Sequence, residues 1–235
     1  LIASGAPTPP SIAVLPFENP SGDPDLAYVS EGLSENLIDR LSQLPQLKVI
    51  SRSSSFKFRG PDVDIADVAA KLNVQAVVTG SVTKVGDNTS IRIDVVDAVE
   101  NRHIAGGQYL RRTGDVLGLP SEIAQTAVAQ LKIKLTDSQS QRLVEKNTED
   151  SESFRYYLSG LVELNGTAKG REKALGYFQK AVDLDPNFAL AHAEIARMYW
   201  IEANTSSDPA ELMPKAKAAA EKALASEGAP ATAHV

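Results

Sequence analysis

The chain has 235 residues, 43% hydrophobic and 23% charged, enough for one to two domains with a packed core. It contains no cysteine, which excludes a disulfide framework, a thiol nucleophile and Cys-based metal sites. A net charge of −6 argues against non-specific nucleic-acid binding, and no apolar run reaches the length of a membrane span.

Residues 1–10 are small and Pro-rich and read as a linker. Ser11 to Phe17 is an apolar run bounded by prolines, the pattern of a buried strand. Turn formers Asn19 to Pro24 follow, then a helix from about Leu26 to Gln43 with Leu33, Leu37, Leu41 and Leu44 on one ridge. Leu47 to Ser51 is the second strand. Asp62 or Asp64 caps a helix that turns Ile65, Val68, Ala69 and Leu72 inward. Val74 to Val85 is the third strand, with Gly80 as a bulge or close-packing point.

Gly86-Asp87-Asn88 is a hairpin turn. Ser90 to Asp97 then alternates, with Ile91, Ile93 and Val95 on one face and Arg92 and Asp94 on the other. A fifth strand spans His103 to Arg111, and a helix Gly118 to Leu135 places Ile123, Ala127, Leu131 and Leu135 inward. The order βαβαβββα predicts an α/β sandwich with a mixed sheet over 11–136. Residues 137–151 connect it to an Ala-rich part, 152–235, that has no strand pattern.

Ser11-Ile-Ala-Val-Leu-Pro-Phe-Glu-Asn19, Glu31-Gly-Leu-Ser-Glu35, Val49 to Phe56 and Leu72 to Val82 occur in the order found in the TolB amino-terminal domain family. The stretch from 11 to about 135 resembles that family. The resemblance implies a non-enzymatic α/β module, common in multidomain bacterial signalling proteins ahead of helical repeats.

Beyond it, Ala174, Phe178, Ala181 and Pro186 follow a spacing that Ala216, Ala220, Ala223 and Pro230 repeat loosely. The first anchors lie 42 residues apart, against about 34 for a tetratricopeptide repeat. Asp183 to His192 is similar to a tetratricopeptide junction. The pattern predicts helices at 152–165, 171–184, 188–203 and 209–226. The resemblance implies stacked helix pairs with a concave, partner-binding face. By repeat position that face carries Phe154, Tyr157, Leu161 and Leu164, then Leu190, Ala193, Arg197 and Trp200. Tyr157, Leu161, Leu190, Arg197 and Trp200 are the candidate contacts for a peptide or protein partner, with Arg197 and Trp200 foremost. The stretch Ala229 to Val235 looks like the start of a further helix, so the array is expected to be cut short.

Catalytic chemistry has few candidates. Asp62, Asp64 and Asp67 lack the glycine and terminal glutamate of a calcium loop and read as helix caps. The histidines, His103, His192 and His234, have no spacing that builds a metal site and no evident catalytic partner. Arg52, Ser53, Ser54, Lys57 and Arg59 concentrate hydroxyls and basic groups near a strand end, a candidate anion site, though no phosphate-cradling glycine loop accompanies them. No catalytic residue, metal or cofactor is expected.

The two resemblances together imply a non-catalytic sensory or interaction region of a larger bacterial signalling protein. The stretches Leu131 to Thr136, Gln141 to Leu143 and Lys146 to Thr148 look most like the Ser/Thr kinase-linked members. A kinase is therefore ranked first as the effector, with a nucleotide cyclase or a transcriptional regulator as alternatives. A free-standing periplasmic envelope scaffold is a second reading. A small-ligand receptor or hidden enzyme built on the first domain is a third, to be tested with nucleotides and phosphorylated metabolites. The expected partner is a protein or peptide, with self-association as an option and no nucleic acid. The parent protein would be anchored in the inner membrane, this part on its extracytoplasmic side ahead of the cytoplasm.

Overall fold

Strand β1, Ser11–Val14, is buried along its whole length. A strand sheltered on both faces reads as a continuous apolar run, as this one does. The computed structural model describes residues 9–60, 62–112, 115–145, 147–164, 167–205 and 209–226, without the side chain of residue 25. The described residues form two compact units: up to 111 with 119–144, and 145 onward with the 112–118 connection. The linker up to residue 8, Lys146, Pro230 and the stretch from Ala229 lie outside the described residues.

The first unit contains a five-stranded sheet in the order β2-β1-β3-β4-β5. Its other strands are β2 Lys48–Val49, β3 Ala76–Val85, β4 Asn88–Asp97 and β5 Arg102–Arg112. β1 runs parallel to β2 and β3, and β3 runs antiparallel to β4. Gly86, at φ +61°, turns the hairpin between the paired Val85 and Asn88. The helices are α1 Pro24–Ser42, α2 Arg52–Ser55, α3 Ile65–Leu72, α4 Leu119–Gln130 and α5 Asp137–Val144. The sheet is mixed and the class α/β, as the element order predicts.

Alternation along β1 and β3 divides the core. Ala13, Leu15 and Val77 pack with Val68 and Ala69 of α3. Ile12, Val14, Ala76 and Val78 point the other way and are fully buried. α1 packs on β1 and β3, and α4 on α1. Ser34 of α1 ties the end of β1: its hydroxyl accepts from the Phe17 N–H at 2.8 Å and donates to the Ser30 carbonyl. Asp64 is the α3 N-cap, accepting from the Ala66 N–H at 2.9 Å.

Gly80 is a close-packing point and not a bulge, since the β3–β4 register runs through it unbroken. A Cβ there would lie 2.7 Å from the Arg92 carbonyl oxygen and 2.9 Å from Ile93 Cδ1. The Arg92 oxygen is backbone within a sheet and has little room to yield. Gly80→Ala is expected to cost about 1–3 kcal/mol, read from the urea midpoint.

Several boundaries differ from expectation. β2 keeps only Lys48–Val49 of the expected Leu47 to Ser51, and the short helix α2, which was not expected, follows it. β1 stops at Val14 instead of reaching Phe17, because Pro16 has no N–H to donate. Pairing with β3 resumes where the Glu18 N–H donates to the Gly80 carbonyl at 2.9 Å. α4 ends at Gln130 and not Leu135, because Lys132 turns left-handed at φ +52°. There the Ile133 N–H reaches the Val128 carbonyl and the Lys132 N–H the Ala129 carbonyl, a Schellman closure. Residues 137–144, expected within a connecting segment, form α5 and belong to the first unit. Arg40 of α1 holds α5, with Nη1 donating to the Leu143 carbonyl at 3.1 Å.

The described part of the second unit has the helices α6 Ser151–Glu163, α7 Ala168–Leu184, α8 Ala189–Thr205 and α9 Pro209–Ala225, each packed on the next. Asp150 caps α6 and Thr167 caps α7. Small residues bring the helices together. A Cβ on Gly160 of α6 would lie 2.7 Å from Phe178 Cδ1 of α7, and Ala193 of α8 packs on Ala223 of α9. His192 is buried, its Nε2 hydrogen-bonded with the Pro186 carbonyl at 2.9 Å.

Candidate functional site

The five candidate partner contacts fall into two groups. Leu190, Arg197 and Trp200 recur at helical spacing along one side of α8. Leu190 is half-buried, Arg197 is exposed and Trp200 is 46% exposed. The Arg197 guanidinium meets Glu194 at 2.5 Å, one turn earlier, which orients it along the helix.

Tyr157 and Leu161 are placed differently, at 2% and 1% exposure. The Tyr157 ring centroid lies 5.1 Å from that of Phe188, 5.8 Å from Phe178 and 6.1 Å from Phe154. These are distances at which aromatic pairs stabilise a core. The ring is a core element of the helical unit and not an open contact. One residue earlier, Tyr156 stacks on Tyr177 at 6.3 Å, with Lys180 Nζ 5.4 Å over the Tyr156 ring. The sequence reading missed this pair; the i, i+3 spacing of Tyr177 and Lys180 on α7 is its signal.

The candidate anion run does not converge on an open positive site. Arg52 Nε lies 2.8 Å from Glu35 Oε2, and Arg59 Nη1 lies 2.6 Å from Glu31 Oε1. The two carboxylates stand one turn apart on α1 and already neutralise both guanidiniums. Both arginines also lie over the Phe56 ring, at 4.7 and 5.3 Å. Ser53 and Lys57 are exposed, and Ser54 receives a 3.4 Å hydrogen bond from the Ser51 hydroxyl. Among the described residues, no cluster of acidic and histidine side chains could hold a metal ion. His103, for which the sequence offers no partner, sits 3.1 Å from Asp94 Oδ1 on the exposed edge of the sheet.

Residues 8–108 match the family described as HilA/YgeH-like transcriptional regulator, second domain. The chain is 33% identical over 191 residues to "Putative adenylate cyclase 3" of Rhizobium meliloti (strain 1021). That alignment takes in 81% of this chain and 32% of the rhizobial protein, so the chain spans about a third of that relative's length. It is longer than either compact unit and therefore runs through parts of both. Among solved structures, TolB of Acinetobacter baumannii aligns at TM-score 0.40 and 16% identity, over 53% of this chain and 28% of that one. Lipoprotein GNA1162 of Neisseria meningitidis aligns at TM-score 0.37 and 23% identity, over 55% of this chain and all of that one.

The sequence reading also missed a crevice beside the end of β1, where Glu18, Thr79 and Ser81 line one cavity. Its signal is the change along one face of β3 from Val77 to Thr79 and Ser81.

Proposed function

We propose that the chain is a non-catalytic regulatory region of a larger bacterial signalling protein whose effector is a nucleotide cyclase. The observation that supports this most is the 33% identity over 191 residues to a protein named as an adenylate cyclase. The match to a regulator's second domain supports a regulatory role and leaves the choice of effector to the cyclase relative. On these grounds the cyclase replaces the kinase that the sequence alone ranked first. In this reading the helical unit is a tetratricopeptide-type array that captures a protein or peptide. Leu190, Arg197 and Trp200 supply the contacts, and Tyr157 and Leu161 supply the packing beneath.

A second reading, the sensory part of a transcriptional regulator, is favoured by the family match over 8–108. Cyclic AMP formation by the full-length protein, with and without this region, separates the two. A cyclase parent makes cyclic AMP in both forms and loses only its regulation when the region is removed. No cyclic AMP from either form would sink the cyclase assignment. Arg197→Ala with Trp200→Ala in the full-length protein is expected to change cyclase output without changing the fold. Unchanged output would remove the partner-binding role from α8.

A further inference from the structure

β1 lies between β2 and β3 and is parallel to both. The chain leaves β1 through α1 to β2, then returns through α3 to β3 on the other side. Such a reversal opens a crevice outside the carboxyl ends of the strands, where open α/β sheets bind their ligands.

Here the crevice is a cavity of about 350 Å³, within the usual size range of small-molecule sites. A second cavity of about 510 Å³ shares Pro16, Glu18 and Gly60 with it. The sheet register builds its floor. Thr79 pairs with Asp94 and Ser81 with Arg92, so all four side chains share one face. It is the face on which Val77 meets α3, continued past the helix as polar side chains. Phe58, Val63 and Ile65 form an apolar wall, braced against the α3 core.

Charge decides what fits. Arg92 is paired with Asp94 at 3.1 Å, and Arg59 with Glu31 at 2.6 Å. Glu18 lines both cavities, is half-buried, and has no side-chain partner among the described residues. The Thr79 and Ser81 hydroxyls likewise have none. The lining thus carries one unmatched negative charge, which opposes phosphates and nucleotides and favours a cation.

We propose that this crevice binds a small organic cation, an amine or a guanidine. Glu18 is its counter-ion, and the Thr79 and Ser81 hydroxyls accept its remaining N–H groups. The apolar wall takes a short carbon chain. The assignment rests on the first unit alone and does not depend on the cyclase reading.

The test is titration calorimetry on the 235-residue chain. The probes are agmatine, ethanolamine and lysine amide at millimolar concentration, with acetate and inorganic phosphate as anionic controls. At least one cation is expected to bind and neither anion. Glu18→Gln keeps the side-chain shape and removes the charge, so it should weaken cation binding roughly tenfold or more, since hydrogen bonds to charged groups are the strong ones. Its unfolding midpoint without ligand should stay at the wild-type value, which separates lost binding from lost fold. Thr79→Val with Ser81→Ala should weaken the same ligand through the floor. Binding of phosphate in place of the cations, binding by no cation, or equal affinity in Glu18→Gln would each overturn the proposal.

Discussion

Val77→Asp is expected to unfold the first unit. Val77 is fully buried and sits among Ala13, Leu15, Val68, Ala69 and Val74, none of which offers a hydrogen bond from its side chain. A carboxylate placed there is desolvated with no counter-charge, a burden of at least about 4 kcal/mol. That is a large part of a domain's net stability. Far-UV circular dichroism and the urea midpoint read the loss. Thr79→Asn is the control, polar but uncharged because Asp94 stands directly opposite: it lies two residues along on the same face, where the sheet opens into the crevice. It should leave the midpoint close to wild type. Equal damage from both substitutions would contradict the described division of that face into core and crevice.

Phe178→Ala is the second large effect, in the helical unit. The ring is fully buried, packs on Tyr157 and lies under the bare Cα of Gly160. Its removal should cost about 3–5 kcal/mol, since two helices whose spacing is also set by Tyr156 on Tyr177 cannot fully collapse onto the space it leaves. Gly160→Ala gives a sharper form of the same prediction. In the wild type its Cβ would be driven to 2.7 Å from Phe178 Cδ1, so it should destabilise although alanine is the better helix former. In the Phe178→Ala background the clash is gone, and the same change should stabilise by up to about 1 kcal/mol. The sign reversal is a coupling that a double-mutant cycle measures directly. Additive effects would mean that the ring and the glycine do not meet.

Elements set by local pattern were legible in the sequence, and contacts set by tertiary placement were not. The alternation of β4, the hairpin at Gly86 and the Asp64 cap follow from spacing and turn chemistry alone. The end of α4 does not, because a lysine at φ +52° has no sequence signature. α5 does have one: Thr136 and Gln139 cap each other reciprocally, with the Gln139 N–H reaching Thr136 Oγ1 at 3.3 Å and the Thr136 N–H reaching Gln139 Oε1 at 3.0 Å.

The candidate sites divide in the same way. The basic run at Arg52 to Arg59 is plain in the sequence, but its partners Glu31 and Glu35 lie on another helix. Tyr157 belongs to a helix face that repeat position assigns to a groove, yet Phe178 and Phe188 from two other segments close over it. Glu18 meets Ser81 only because the chain re-enters the sheet after Pro16, an event no local pattern encodes.

The central claim is that this chain regulates chemistry carried elsewhere. Cyclic AMP formation from ATP by the purified 235-residue chain, supplied with magnesium or manganese, tests it most directly. No product above the protein-free background is the predicted result. Sustained turnover by this chain alone would contradict it.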